Sequence, residues 1–353
     1  MPYFTIVIPV YRAQKYIRQC LESIIHQSFK DFEVILVDDG SPDACPQICE
    51  EYVQKDLRFS VIHKKNEGSQ KARKTGVQKA KGTYVAFMDA DDWVDDGWLE
   101  FAFQQLEQFR TDIIAFGYKQ EIAGKSIQFE NAIKPGKYSG SRFQKKIFPY
   151  VLSTENFGEF GIWPSLWSKI IKKELILKIM ECVDEQLTLG EDAACTYLCM
   201  RNAESLYVCD AAFYHYRYVP DSLAQRYNPL FWENTERLFC FLDSIQKDNN
   251  DKQVERYKMY ILLTGLRKEF LYLPDIIQAR QRMEEVCSRG NLARVIQEFE
   301  DTGLHKTEKF IVDALKKKEY GRLQSYFGLQ RRKNKIKRII KGILYREKRK
   351  YSG

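Results

Sequence analysis

Clusters of acidic residues follow apolar runs at three places in this chain, and their spacing suits phosphate chemistry. DADD at 89–92 closes the run YVAFM, so its carboxylates leave a strand end together. Hard oxygen donors in that arrangement suit Mg²⁺ or Mn²⁺ and, beside the ion, a diphosphate. Taken alone, the tetrapeptide is equally compatible with a solvated turn whose Asp caps the next helix. An aspartate-nucleophile phosphatase would carry a hydroxyl or Val where Trp93 stands, and its motif would not follow so late a strand. VDDGS at 37–41 runs from a strand into an acid pair and a Gly turn; it could accept hydrogen bonds from a base or ribose, or form a tight turn with an Asx cap. NEGSQKARKTG at 66–76 places Arg73 in a cationic helix start, where it could meet a base carbonyl or a phosphate, or face solvent. GED at 190–192 stands among Trp163, Trp167, Phe213, Tyr214, Tyr216 and Tyr218. There is no GxGxxG, so the dinucleotide fingerprint is absent.

The elements that must position these groups alternate regularly. Apolar runs at 4–9, 33–38, 59–63 and 83–89 are separated by segments of helical period, a βαβ rhythm. Tyr16, Ile17, Cys20, Leu21, Ile24 and Ile25 recur at spacings of three and four, predicting an amphipathic helix laid on a sheet. The runs are nearly continuous in apolar residues, as expected of parallel strands buried on both faces. Such open α/β sheets bind ligands beyond the carboxyl ends of their strands, where Pro9 to Arg12, Asp38, Asp39 and the DADD acids fall. A helix over 98–109 and an apolar run at 111–118 continue the sheet, and 123–142 reads as loop or hairpin. Beyond Pro220 the period is helical throughout, with Pro229 and Pro274 as punctuation.

At 353 residues and 44% apolar content, the chain has length for roughly two domains. No stretch approaches the roughly 20 apolar residues of a membrane span, and the start has no signal-peptide character, so the expected location is cytoplasmic. Nine cysteines, an odd number without a Cys-x-x-Cys knuckle, predict reduced thiols rather than a disulfide framework or a zinc site. The net charge of +8 is concentrated in the tail: residues 331–350 carry eleven Lys or Arg against one Glu, which leaves −2 for the rest. A nearly neutral body argues against general nucleic-acid binding. In the tail, Ile336, Ile339, Ile340, Ile343 and Leu344 form one stripe of a basic amphipathic helix suited to an anionic membrane surface, or to solvent.

VIPVYR at 7–12, VDDGS, the Asn66-to-Arg73 segment, GTYVAFMDADD at 82–92 and GED occur in the order and spacing of family 2 glycosyltransferases, which the chain strongly resembles. The resemblance is tight over about 3–110 and looser over 160–225, where WSKI, GED and YHYR resemble bacterial enzymes of capsular, exopolysaccharide or wall-polymer synthesis. It implies a GT-A, Rossmann-like α/β sheet over 1–225, with a nucleotide-binding half (1–110) and an acceptor and base half (111–225). A helical region (226–330) and the basic tail (331–353) would follow. Pro9, Val10, Tyr11, Asp39, Asn66, Arg73, Asp89 and Ala90 would line the nucleotide site, with Asp39 on uracil and Asp89 on ribose. Asp91 would ligate Mn²⁺ or Mg²⁺, and His215 is either a second ligand or a packed side chain. Where the family commonly has Asn, this chain has Arg12.

Breaking a sugar–phosphate bond requires charge neutralisation on the leaving diphosphate and removal of a proton from the attacking hydroxyl. The resemblance assigns the base to Asp192, and a single displacement would invert the anomeric centre. Glu191 and Trp167 would face the acceptor, although both suit capping or packing. The expected activity moves a sugar from a UDP-sugar to a glycan or a polyprenyl-diphosphate-linked oligosaccharide in bacterial surface polysaccharide synthesis, peripherally at the inner face of the plasma membrane. A homodimer is left open. The rival readings are a non-catalytic sugar-nucleotide or glycan-binding subunit, against which Asp91 and Asp192 together speak, and a nucleotidyltransferase, which would need a Gly-rich loop where PVYRAQKY stands.

Overall fold

The computed structural model describes residues 1–219, 227–246, 251–273, 275–300 and 303–333. The chain begins β1 (Phe4–Val10), α1 (Ile17–Ile25), β2 (Phe32–Asp38), α2 (Cys45–Lys55), β3 (Phe59–His63), α3 (Ser69–Lys79) and β4 (Tyr84–Phe87). These four strands are parallel and lie in the order β3-β2-β1-β4, with Val10 opposite Asp38 and Phe4 opposite Tyr84. The chain winds outward from β1 to β3 and returns to β4 on β1's other side, so the strand order reverses at β1 and a crevice opens at the carboxyl ends there. Side chains alternate along the strands: Phe4, Ile6, Ile8 and Val10 enter one core, and Val7 with Val85 and Phe87 enters another. On the second face α3 approaches closely at Gly76, where a Cβ would stand 2.3 Å from Val7 Cγ1.

The remainder of the sheet-bearing region comprises β5 (Trp93–Val94), α4 (Trp98–Phe109), β6 (Ile113–Ala115), β7 (Tyr118–Ile122), β8 (Lys125–Phe129), β9 (Gly136–Ser139), the single turn α5 (Gly140–Arg142), β10 (Lys169–Lys172), α6 (Lys173–Cys182), α7 (Glu191–Asn202), β11 (Ser205–Val208) and β12 (Tyr214–Arg217). β10 joins β4 antiparallel, and β6, β11 and β9 complete the eight-stranded sheet. The apolar run 111–118, read as one element, divides: β6 stays in the large sheet, and after a corner at Gly117 β7 enters a second sheet ordered β5-β12-β7-β8. No side chain fits at that corner, because a Cβ on Gly117 would lie 2.6 Å from the Phe129 carbonyl. The expected hairpin is β7–β8, closed by Ala123 and Gly124, both with positive φ.

The C-terminal part is helical in its described residues: α8 (Phe231–Ile245), α9 (Lys252–Tyr272), α10 (Ile276–Ser288), α11 (Gly290–Glu298), α12 (Lys306–Lys316) and a helical stretch over 320–333. Pro229 precedes α8 as the sequence suggests, whereas Pro274 lies outside the described residues. Asp251 and Asp275 cap α9 and α10 by accepting the amides of Gln253 and Ile277. These helices share a core with the sheet, since one cluster of buried side chains runs from Val7 and Val85 to Leu238, Leu262, Met283 and Leu315. The nine cysteines are free thiols, seven of them buried. Apart from 331–333, the tail with its amphipathic stripe lies outside the described residues.

Candidate active site

The crevice at the ends of β1 and β4 is built around DADD. Asp92, with 1% of its surface exposed, turns inward: it accepts the Tyr214 hydroxyl at 2.7 Å and the Arg217 amide at 2.7 Å. Burial, then Asp89 and Asp91, push its carboxyl well above the carboxylate range. The same Tyr214 hydroxyl receives the Asp89 amide at 3.0 Å, so one phenol fixes both ends of the turn. Arg217 holds the middle, its Nε donating to the Asp91 carbonyl at 2.7 Å while its guanidinium lies over Tyr16 (4.8 Å) and Trp93 (4.5 Å). Asp91 differs from its neighbours. No side chain donates to its carboxylate, and burial followed by the charge of Asp89 raises it to about 6.

Asp89 meets α3 and α7 through Arg73. The buried guanidinium donates from Nη2 to Asp89 Oδ1 at 2.9 Å and from Nη1 to Asp192 Oδ1 at 3.0 Å, with Glu191 Oε1 3.7 Å away. Burial opposes its charge, but Asp192, Asp89 and Glu191 together raise it above the usual arginine range. Its Nε is buried without a partner. Asp192 Oδ2 accepts the Leu166 amide at 3.2 Å. Glu191 and Asp192 open α7 directly after Gly190, at φ 72°, where a Cβ would lie 2.5 Å from Leu238 Cδ2. Two acids in the first turn also face the positive end of the helix. Burial, then Asp192, shift the Glu191 carboxyl upward.

Asp39 lies at the neighbouring strand end and is almost fully buried. Its Oδ1 accepts from Lys64 Nζ (3.0 Å) and the Glu67 amide (3.0 Å), and its Oδ2 from the Gly68 amide (2.8 Å). It thereby clamps the turn that starts α3 and hence Arg73, and Oδ2 keeps a lone pair for a further donor. Asp38 is occupied by the Ser41 amide and His63. Pro9 and Val10 end β1, Tyr11 is 41% exposed, Asn66 is exposed and Ala90 is buried beneath the crevice. Arg12 has φ 53°, and its amide donates to Ser41 Oγ at 2.7 Å. That left-handed backbone is the conformation in which Asn is several-fold enriched, a physical reason for the commoner Asn at this place.

Three residues singled out in the sequence are placed as follows. Arg73, expected on a base or phosphate or facing solvent, bridges Asp89 and Asp192. His215 is not brought to the acids of the turn: Nδ1 pairs with Glu121 Oε1 (2.8 Å), Nε2 pairs with Asp95 Oδ1 (2.9 Å), and the ring stacks on Trp93. Trp167 is packed, 7% exposed, with its ring 4.4 Å from Tyr214 and 5.8 Å from Tyr216. Tyr214, Arg217 and Lys169 are site residues that sequence reasoning did not single out. Lys169 is fully buried behind the 163–168 loop, donating to the carbonyls of Trp163 and Ser165 and to Ser168 Oγ. The motif YHYR was a cue for the first two, and a Lys inside the apolar WSKII for the third.

Among the described residues no three His, Cys, Asp or Glu side chains form a ready metal cage. A lone, unneutralised carboxylate such as Asp91 suits the other style of site, in which Mg²⁺ takes one or two protein oxygens and completes its shell with phosphate and water. Nor, among the described residues, is any helix long and apolar enough to cross a membrane.

The family model described as glycosyl transferase family 2 matches residues 5–159. EpsJ of Bacillus subtilis (strain 168), described as an uncharacterized glycosyltransferase, is 30% identical over 240 residues, covering 68% of this chain and 68% of that protein. GgaB of the same organism, a minor teichoic acid biosynthesis protein, is 31% identical over 84% of this chain, which spans only 32% of GgaB. Among solved structures, S. aureus TarS 1-349 superposes with a TM-score of 0.67 at 21% identity, over 94% of this chain and 92% of that one, a likeness of fold. The same protein is also solved in complex with UDP (TM-score 0.63) and with UDP-GlcNAc (0.66).

Proposed function

The chain belongs to the family 2 glycosyltransferases, and we propose that it transfers a sugar from a UDP-sugar, with inversion, to a hydroxyl of a glycan or lipid-linked acceptor in bacterial surface polysaccharide synthesis. The observation that carries this reading is the gathering of Asp89, Asp192 and Glu191 on one buried guanidinium beside an unpartnered Asp91. A UDP donor is further supported by the TarS complexes, and a role in surface-polymer synthesis by the name of GgaB, a minor teichoic acid biosynthesis protein.

In this mechanism Asp39 takes the uracil N–H on the free lone pair of Oδ2, with Tyr11 and Asn66 beside the base, and Asp89 holds the ribose through Oδ2. Asp91 would hold Mg²⁺ or Mn²⁺, and such an ion would supply charge neutralisation for the departing diphosphate. Asp192 removes the proton from the attacking hydroxyl. Arg73 holds its Oδ1 and the Leu166 amide its Oδ2, so that the carboxylate is oriented. Glu191, whose proton is retained more readily, faces the acceptor as a hydrogen-bond partner. A panel of UDP-sugars screened for UDP release tests the reading: Asp91→Ala should lose metal-dependent UDP binding, and Asp192→Asn should keep UDP binding but lose transfer. Transfer by Asp192→Asn at the native rate would overturn the base assignment.

The catalytic region is taken as 1–225, followed by the helical 226–330 and the tail. Attachment of the tail to the inner face of the membrane is supported by its charge of +10 and by Leu271, Tyr272, Ile277 and Leu329, all exposed in the helical region. Deleting 331–353 should move the protein from membrane pellet to supernatant while UDP release persists; unchanged distribution counts against it.

A further inference from the structure

A second cleft, of about 600 Å³, lies at the far end of α7, between residues 144–155 and the first turn of α9. Arg201, which lines it, is nine residues beyond Asp192, roughly 14 Å along the helix. Four cations line the cleft: Lys145, Arg201, Lys252 and Arg256. Two acids line it as well, Asp251 and Glu155, and neither forms an ion pair with them. Asp251 is engaged as the cap of α9 and by the Tyr197 hydroxyl, and Glu155 is exposed and accepts from Tyr150. Lys252 pairs with Glu300.

Arg256 is the unusual member. It is 6% exposed, and its one described hydrogen bond runs from Nη2 to the Ser153 carbonyl at 3.1 Å. Its Nε is buried without a partner, and among the described residues no carboxylate lies within ion-pair distance. Arg201 donates, among the described residues, to the Ile245 carbonyl, and Lys145 has no described ion pair. Glu155, Asp251 and Glu255 favour the Arg256 charge from further away, but burial outweighs them, so an anion in the cleft would offset a cost they leave in place. The amino end of the 21-residue α9 adds its partial positive charge at the same place.

We propose that this cleft is a binding site for a phosphoryl group, separate from the sugar-transfer crevice. Arginine's planar fork matches phosphate oxygens bidentately, and Lys145 adds a point charge at the rim. The phosphoryl group comes either from free phosphate or from a phosphodiester of a polymer.

The test uses the full chain at constant ionic strength, with inorganic phosphate and a short polyol-phosphate oligomer as probes. Melting temperature should rise saturably with phosphate in the wild type and equally in Asp192→Asn. Lys145→Ala combined with Arg201→Met should weaken the midpoint by about tenfold or more, while Arg201→Lys, which keeps the charge, should restore most of it. Circular dichroism reports whether each variant is folded, and Lys145→Ala alone, at the rim, should give a smaller weakening in the same direction. An oligomer midpoint well below that of phosphate identifies a polymer as the source, and equal midpoints identify free phosphate. A response that is absent, unsaturable, or unchanged in the double variant overturns the proposal, and because the readout is binding it stands or falls independently of sugar transfer.

Discussion

Arg73 and Asp192 lie 119 residues apart in the chain and 3.0 Å apart in space. The contact joins a helix that starts after β3 to one that starts after Gly190, and the other nitrogen of the same fork reaches Asp89 at the end of β4. The placing of Asp89 against Asp192 therefore depends on one side chain. Its neighbours are acids that would repel one another without it.

Replacing Arg73 by Met should accordingly act on both folding and activity. Loss of one partner from a buried charge cluster costs about 3–5 kcal/mol, readable as a lower urea midpoint at unchanged slope. Transfer should fall roughly 100-fold or more, because misplacement near 1 Å has that effect on chemistry. Arg73→Lys keeps the charge but cannot bridge two carboxylates with one planar fork, so it should recover stability more than activity.

The pH behaviour of Asp91 follows from its surroundings. Its carboxyl is raised from the ordinary aspartate value to about 6 in the folded protein by burial and by the charge of Asp89. A raised acid favours the folded state fully below its unfolded pKa, and that contribution is lost as pH rises through 6. Asp91→Asn should therefore be more stable than the wild type at pH 8 without ligands, with the difference shrinking towards pH 4. A divalent ion competes with the same proton, so its affinity should fall by up to about tenfold per unit below pH 6. Denaturation at several pH values and Mn²⁺ titration at pH 5 and 7.5 check both statements.

The parallel strands, α1, α4 and the placing of the acids at strand ends were legible because each is a local pattern: a continuous apolar run, a spacing of three and four, an Asp after a strand. Arg73, Tyr214 and Arg217 were not legible in their actual roles, since their partners are 119, 122 and 126 residues away. For His215 the ambiguity lay in the fold, because the division of 111–118 into two sheets decides what β12 packs on and brings Glu121 to the imidazole. Trp167 shows the same limit: an aromatic near a sugar site and one stacked on Tyr214 have the same local sequence.

Arg12 offers a test of backbone strain. Its φ of 53° is the left-handed region, which costs an L-residue roughly 1–2 kcal/mol and Asn less. The bond to Ser41 Oγ uses the backbone amide, so substitution leaves it in place. Arg12→Asn should raise stability by about 0.5–1 kcal/mol, seen as a higher urea midpoint, whereas Arg12→Ala should give no gain. If both gain equally, the effect is one of charge rather than of conformation.

Lys169 connects stability to catalysis through the 163–168 loop. That loop presents the Leu166 amide to Asp192, and its Pro164 carbonyl accepts Thr196 on α7 at 2.7 Å, so the loop and Asp192 are mutually fixed. Lys169→Met removes the donor to the Trp163 carbonyl and should cost about 1–3 kcal/mol. Transfer should slow about tenfold, because the loop holds Asp192 in place. Burial lowers the lysine to about 7. A depressed amine gives its full contribution above its unfolded pKa and loses it as pH falls through 7, so wild type should gain on Lys169→Met as pH rises from 7 to 10. A slowed transfer with no pH-dependent gap between the two proteins would mean that the side chain acts by shape alone, and equal transfer would mean that the loop does not position Asp192.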